Sequence, residues 1–228
     1  MQLNLDRDGA QLFEQLVSGE LLGELGAILT LRPRAAGIRL SDDAALYDWI
    51  CDRSPLGELA RSLRGAEAKP VRAILFDKSK GANWTLGWHQ DRTIAVRDRI
   101  EAAGYINWTR KAGTAHVEPP FSILDRMLTM RVHLDDTSAD NAPLLIVPGS
   151  HRLGRLVERE IGAVVEAGST VACLAKAGDV WLYATPILHA SEASRRPGRR
   201  RVLQIDFSAD ELSAGLDWAG IGPGSGSA

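Results

Sequence analysis

Along the first third of the chain the apolar positions fall at helical spacing. In "DGAQLFEQLVSGELLGELGAIL" (8–29), Leu12, Leu16, Leu21, Leu22 and Leu25 share one face of a predicted helix that glycines can interrupt. "SDDAALYDWICD" (41–52) opens on Ser41 and acidic residues, which suit an N-cap and a first turn. "SPLGELARSLRG" (54–65) offers Ser54 as a cap, Pro55 at the first helical position and Gly65 as a stop. After Pro70 the period shortens. "VRAILF" (71–76), "LTMRVHLDD" (128–136), "PLLIVPGS" (143–150) and "RRVLQIDFS" (200–208) predict strands, as do two runs on either side of a turn at Ala177-Gly178-Asp179. Periodicity is weak between residues 80 and 127, and an irregular stretch of that length predicts a functional or lid-like loop. "AGIGPGSGSA" (219–228) has nothing to build a core from and predicts a flexible tail.

Helices first, then short strands joined by tight turns, without β–helix–β alternation, predict a mainly β protein with N-terminal helices. A helical layer (1–70) packs on a β-sandwich or jelly roll (71–210), within one domain of residues 1–218. A length of 228 residues agrees with one domain, and neither a repeat nor a second domain is visible.

Composition narrows the function. Hydrophobic residues make up 45% and charged residues 25%, an ordinary globular balance, and the net charge of −2 gives no reason to expect nucleic acid or an anionic membrane as partner. The first residues lack the pattern of a secretory signal, and no apolar run approaches the ~18 residues of a membrane span. Cys51 and Cys173 have no C-x-x-C partner and read as buried thiols of a reducing, cytoplasmic compartment. Candidate soft metal ligands are then mainly the five histidines.

"GWHQD" (87–91) puts His89 two places before Asp91. On a strand, residues i and i+2 face one side, so the imidazole and carboxylate can converge on one point. The alternative is a solvent-facing polar pair, and H-x-D alone does not decide. A third ligand would come from another strand, and His189, at the end of the apolar run in "PILHAS", lies 189 − 89 = 100 residues on. Two histidines and a carboxylate leave coordination positions open, as non-haem Fe(II) oxygenases require. An anionic cosubstrate would need a buried cation, preferably arginine, and "RRPGRRR" supplies Arg195, Arg196, Arg199, Arg200 and Arg201.

"GWHQD", "LDDTSADNAPLLIVPGSHRLG" and "LHASEASRRPGRRRVLQIDF" together resemble the phytanoyl-CoA dioxygenase family of Fe(II)/2-oxoglutarate oxygenases, over roughly residues 71–210. The resemblance implies a double-stranded β-helix core, jelly-roll and cupin-like. It implies that His89, Asp91 and His189 ligate Fe(II), and that the arginine eleven residues past the distal histidine (189 + 11), Arg200, takes 2-oxoglutarate. Ser191 matches a small hydroxyl residue that can also touch that cosubstrate. Lys78 and Trp84 are further candidates around it, with Trp84 and Trp88 flanking the metal motif. The implied reaction consumes 2-oxoglutarate and O2, yields succinate and CO2, and hydroxylates a small-molecule substrate. Related halogenases have no carboxylate at the position of Asp91, so its presence favours oxidation over halogenation. The sequence departs from the family pattern at Ala142, where glycine is usual, and the arginine tract leaves the choice among Arg199, Arg200 and Arg201 open by one register.

Arg131 and His133 share one face of their strand and would line the substrate pocket if that face points inward. His116 falls in the stretch read as a lid. His151 reads as a turn residue, and Asp135 and Asp136 as hydrogen-bonding groups at a strand end. Two other functions fit the same residues: a cupin-like metal enzyme without 2-oxoglutarate, and a non-catalytic small-molecule-binding protein. The sequence leaves the oligomeric state open.

Overall fold

Glycine and capping side chains set the local breaks in the helical layer, and strand alternation organises the rest. In a computed structural model the described residues are 2–30, 32, 37–79, 83–195 and 198–222. The first half contains α1 (Leu5–Asp8), β1 (Ala10–Phe13), α2 (Gly19–Leu29), β2 (Ile38–Leu40), α3 (Ala44–Asp48), a π-helical turn (Trp49–Arg53), α4 (Leu56–Arg64), β3 (Lys69–Lys78), β4 (Leu86–His89), β5 (Ile94–Val96), β6 (Ile106–Lys111) and β7 (Thr114–Glu118). There follow α5 (Phe121–Arg126), β8 (Leu128–His133), β9 (Leu144–Ile146), a 3-10 turn (Ser150–Leu153), α6 (Glu158–Ala167), β10 (Val171–Cys173), β11 (Val180–Ala184), β12 (His189–Ser191) and β13 (Arg200–Ser208).

A six-stranded antiparallel sheet, β1-β11-β8-β13-β3-β2, faces a four-stranded one, β10-β9-β12-β4. Eight strands form the double-stranded β-helix: β3, β13, β8 and β11 in the large sheet, β4, β12, β9 and β10 in the small one. The predicted jelly roll with N-terminal helices is therefore present.

Period two divides the large sheet into two faces. Leu128, Met130 and Val132 of β8, and Leu203, Ile205 and Phe207 of β13, join Leu25, Trp49, Ile50 and Leu56 of the helical layer in one core. The intervening residues Thr129, Arg131 and His133 of β8, and Gln204 and Asp206 of β13, point between the sheets. The helical layer is thus continuous with the outer face of the barrel wall. Among the described residues no helix is long and apolar enough to cross a membrane, and Cys51 and Cys173 are both free and buried.

Four expectations are corrected. Residues 8–29 are not one helix. Gly9 ends α1 in the left-handed conformation (φ 75°), with His151 so close that a Cβ at Gly9 would lie 2.2 Å from its ring. The chain then extends as an edge strand, with Ala10 opposite Tyr183 and Leu12 opposite Trp181. Cross-strand pairing overrides helix propensity here. The α3 cap is Asp43, which accepts from the Leu46 N–H at 3.0 Å, rather than Ser41. The 80–127 stretch is not a plain loop: it carries β4, α5 and a third sheet, β5-β7-β6, with a core of its own around Ile94, Val96, Tyr105 and Val117. Residues 219–222, expected to open a flexible tail, are fastened: Ala219 N–H donates to the Ala95 carbonyl at 3.0 Å, and the Ile221 carbonyl accepts from Asp43 N–H at 2.9 Å. The rest of that expected tail, 223–228, and Arg196 lie outside the described residues.

Ala142, where the family pattern has glycine, adopts φ 51°. That left-handed conformation costs a residue with a Cβ roughly 1–2 kcal/mol, which is the physical reason glycine suits this position.

Candidate active site

The two sheets bring different chemistry to one cavity. From the small sheet, His89 of β4 and His189 of β12 are direct cross-strand partners, with ring centroids 4.3 Å apart. Asp91 lies two residues past the end of β4 rather than on it. The i, i+2 convergence survives because Gln90, between the two, turns the other way and anchors the segment. Its amide donates to the carbonyls of Gly154 and Pro186, each at 2.9 Å, and its oxygen accepts from Leu156 N–H at 2.9 Å. Ligand atoms of His89, Asp91 and His189 all lie within 4.8 Å of one another.

Hydrogen bonds prepare both rings. Nδ1 of His89 lies 2.7 Å from the Gly87 carbonyl oxygen, and Nδ1 of His189 lies 2.9 Å from that of Ile187. A carbonyl only accepts, so each Nδ1 carries the hydrogen and each Nε2 keeps its lone pair for a metal. Burial lowers the pKa of His189 to about 4 against the opposing pull of Asp91, so its ring is neutral near pH 7. For Asp91, burial favours protonation, but Arg72 first, and then the two histidines, outweigh it and hold the carboxyl below its ordinary value. Two imidazole nitrogens and a carboxylate oxygen converging on one point fit a divalent first-row metal such as iron. The "PGSH" turn secures β12 from behind: Ser150 Oγ accepts from Leu188 N–H at 2.9 Å and donates to the Val147 carbonyl at 2.6 Å.

The large sheet supplies cations. A cavity of about 420 Å³ is lined by His89, Asp91 and His189 on one side and by Arg72, Lys78, Arg131 and Arg200 on the other. Register explains the placement, because Arg200 lies opposite Lys78, Gln204 opposite Arg131 and Asp206 opposite Arg72. Arg72 bridges Asp91 (3.3 Å) and Asp206, and donates to the Thr93 carbonyl at 3.1 Å. Burial works against its charge, but Asp206 and Asp91 more than restore it, and its pKa lies above the ordinary value. Arg131 donates to Gln204 at 2.8 Å and lies over the Phe76 ring.

Arg200 is buried, and among the described residues its guanidinium has no hydrogen-bond acceptor or counter-ion. Burial, and then Arg131, push its pKa down, a penalty that a bound anion would relieve. Its neighbours in the tract are already paired and outside the cavity: Arg199 with Asp77 at 2.9 Å and Arg201 with Asp135 at 2.7 Å. Lys78 donates to Ser191 Oγ at 3.0 Å and to the carbonyls of Trp84 (2.9 Å) and Glu192 (2.6 Å). Burial, then Arg200 and Arg131, lower its pKa to about 8. Trp84 covers the Lys78 ammonium at 4.7 Å, whereas Trp88 packs under the loop beside Leu188 and Leu156.

Arg131 thus lines the cavity, but its strand-mate His133 does not. His133 is buried against Thr137, with Nδ1 2.9 Å from Oγ1, and burial lowers its pKa to about 3. His116 is not in a lid. It lies on β7, fully buried, with Nε2 unpartnered among the described residues, outside the cavity that His89, Asp91 and His189 line. His151 is in the 3-10 turn as expected, Asp135 serves Arg201, and Asp136 accepts from Ala177 N–H at 2.9 Å. The sequence reading missed Arg72, Gln90, Gln204 and Asp206. One signal was available for Arg72: with Ile74, Phe76 and Lys78 it forms one face of β3, a cation in an otherwise apolar run.

A sequence profile of the phytanoyl-CoA dioxygenase family matches residues 34–202. The ectoine dioxygenase of Sphingopyxis alaskensis is 26% identical, over 90% of this chain and 73% of the relative. Among solved structures, AviO1 from Streptomyces viridochromogenes superposes with a TM-score of 0.63 at 20% identity, covering 90% of this chain and 91% of its own. EctD of S. alaskensis, solved with 2-oxoglutarate and 5-hydroxyectoine, gives 0.62 at 22% identity, covering 90% and 73%. HygX from Streptomyces hygroscopicus, solved with nickel and 2-oxoglutarate, gives 0.62 at 16% identity, covering 90% and 84%.

Proposed function

The chain belongs to the phytanoyl-CoA dioxygenase family, and from that premise we propose that residues 1–218 act as one Fe(II)/2-oxoglutarate-dependent oxygenase that hydroxylates a small molecule. His89, Asp91 and His189 are the proposed iron ligands and Arg200 the proposed partner of the far carboxylate of 2-oxoglutarate. The observation that carries this reading is the pairing of opposites across one cavity. Three convergent donors with free lone pairs lie on the small sheet, and a buried arginine without a counter-ion lies on the large one. A cupin-like enzyme without an anionic cosubstrate would have no use for that buried charge, and a silent binding protein would have no use for the three convergent donors.

When bound, iron would supply the activation of O2 by electrons drawn from 2-oxoglutarate as it loses CO2. The chain's own residues do the rest. The Gly87 and Ile187 carbonyls hold the two imidazoles in the ligating tautomer. Arg72 keeps Asp91 ionised and directed at the metal. Arg200, with Lys78 and Ser191 beside it, sets one orientation for the cosubstrate. Trp84 and Phe76 limit the entry of water, which protects the oxidising step from side reactions. Asp91 occupies the position a halide would need, which directs the outcome to oxidation. The buried thiols Cys51 and Cys173 support a cytoplasmic setting.

The test is anaerobic addition of Fe(II) and then 2-oxoglutarate. The expected result is the weak visible charge-transfer band of the chelate, absent in Asp91→Ala, together with O2-dependent succinate release that Asp91→Ala abolishes. No band in the wild type, or undiminished succinate release in the variant, would overturn the assignment.

A further inference from the structure

The cavity wall carries more positive charge than the proposed reaction uses. Six cationic side chains line it, Arg39, Arg72, Lys78, Lys111, Arg131 and Arg200, against one carboxylate among the described lining residues, Asp91. Iron and 2-oxoglutarate add equal and opposite charge, so loading them leaves the excess unchanged. Four of the six are accounted for. Arg72 is answered by Asp91 and Asp206, Lys78 by three oxygen acceptors, Arg131 by Gln204 and the Phe76 ring, and Arg200 by the cosubstrate in the reading above.

Arg39 and Lys111 remain. Arg39 lies on the edge strand β2 opposite Ile74, on the face that looks into the cavity. Lys111 ends β6 of the inserted sheet, so the two approach from separate elements. Neither has a hydrogen bond or ion pair among the described residues, and Arg39 Nε is buried without a partner. Burial lowers both pKa values. Arg72 and Lys111's own neighbour Arg39 lower them further, with Asp91 opposing this weakly at Lys111. Two half-buried cations held near one another, each weakened by burial and by like charge, form a site that an anion would stabilise. Ile74, opposite Arg39, and Phe76, Leu86 and Leu144 line the same cavity and give it apolar surface beside the charged groups.

We infer that Arg39 and Lys111 clamp an oxyanion of the substrate, so that the molecule oxidised is a small carboxylate or phosphate ester whose apolar part reaches toward His89 and Asp91. This rests on the oxygenase reading, which it deepens by naming the substrate class. A cavity of about 420 Å³ that must also take 2-oxoglutarate admits only a compact reacting portion.

The protein is loaded with Ni(II) and saturating 2-oxoglutarate, which occupies Arg200, and is then titrated calorimetrically with inorganic phosphate and, separately, with butyrate. We expect the wild type to bind at least one, and the preferred probe distinguishes phosphate from carboxylate. Arg39→Gln and Lys111→Gln should each weaken that binding about 10-fold or more, while 2-oxoglutarate affinity stays within about twofold and certifies the fold. In a succinate-release screen, acids should stimulate turnover and their neutral amides should not, with KM rather than kcat raised in Arg39→Gln. An anion affinity unmoved by both substitutions, no uptake of either anion by the loaded wild type, or equal stimulation by acids and amides would each overturn the inference. If the wild type fails to take up 2-oxoglutarate, the oxygenase reading falls instead. Phosphate titrated into the Ni(II)-only protein then still decides whether Arg39 and Lys111 hold an anion.

Discussion

Three consecutive arginines at 199–201 show how one residue of register separates a paired charge from a buried, unpaired one. Arg199 and Arg201 face away from the cavity and meet Asp77 and Asp135, while Arg200, between them, is turned inward and meets no acid. The differences in environment predict a pattern that the tract's composition does not. A hydrogen bond to a charged partner contributes about 1.5–3 kcal/mol. Arg200→Gln should therefore weaken 2-oxoglutarate binding roughly 10- to 150-fold, measured by anaerobic titration of the Fe(II) form. Arg199→Gln and Arg201→Gln should alter that affinity less than threefold or so. Their effect should fall on stability, most for Arg199, whose removal leaves the buried Asp77 carboxylate unpaired. If Arg201→Gln lost the cosubstrate and Arg200→Gln did not, the anion site would lie outside the barrel. Arg72 belongs to the same inward set, but it serves Asp91 and Asp206 rather than a ligand, which is why it is not interchangeable with Arg200.

Individual elements hold the proposed metal ligands in place, and the end of β4 matters most. Asp91 lies beyond the sheet hydrogen bonds, so its position depends on Gln90 next to it. Gln90→Leu would remove three hydrogen bonds and leave the Gly154 and Pro186 carbonyls and the Leu156 N–H to find other partners. Groups that orient metal ligands typically govern 10–100-fold in metal affinity. Gln90→Leu should weaken Fe(II) by about that much in competition with a chelator, although no ligand atom is changed. Affinity equal to the wild type's would show that the β4–β12 pairing alone positions Asp91. The same element shows what the sequence could and could not reveal. The convergence of His89, Asp91 and His189 on one cavity that Arg200 also lines was legible because the motifs that carry them resemble a family pattern, not because any one spacing required it. The strands β3, β8, β11 and β13 were legible from period two. Edge strand β1 was not, because Leu12 fits a helical face equally well and only its pairing with Trp181 makes it a strand. The inserted sheet β5-β7-β6 was hidden because β6 is mostly exposed and β5 has three residues, too few to show a period. His116 was misplaced with it. Arg72, Gln204 and Asp206 form a set through cross-strand register, which no single segment encodes.

For the whole molecule, the fold concentrates positive charge inside a chain of net charge −2 and keeps some histidines neutral, and this sets its response to acid. His116, in the inserted sheet, is fully buried, and burial lowers its pKa to about 4. His133, at the end of β8 between the sheets, is held at about 3 for the same reason. Both titrate near 6.5 once unfolded, so between these values the unfolded chain binds more protons than the native one. Stability therefore rises with pH through that window and levels off above it. As pH falls below about 6.5, each such histidine should remove about 1.4 kcal/mol of stability per pH unit. Neither ring belongs to the proposed metal site, so the effect can be isolated by difference. Wild type and His116→Gln, both metal-free, are unfolded by urea at several pH values between about 7 and 4.5. Titrations common to both proteins cancel, and the wild type should lose stability faster, by about 1.4 kcal/mol per pH unit below about pH 6. Parallel lines would mean that His116 takes up a proton in the folded state. The inserted sheet would then open to water without the rest of the barrel unfolding, and Lys111, which that sheet carries, would be held less firmly at the cavity than its position beside Arg39 implies.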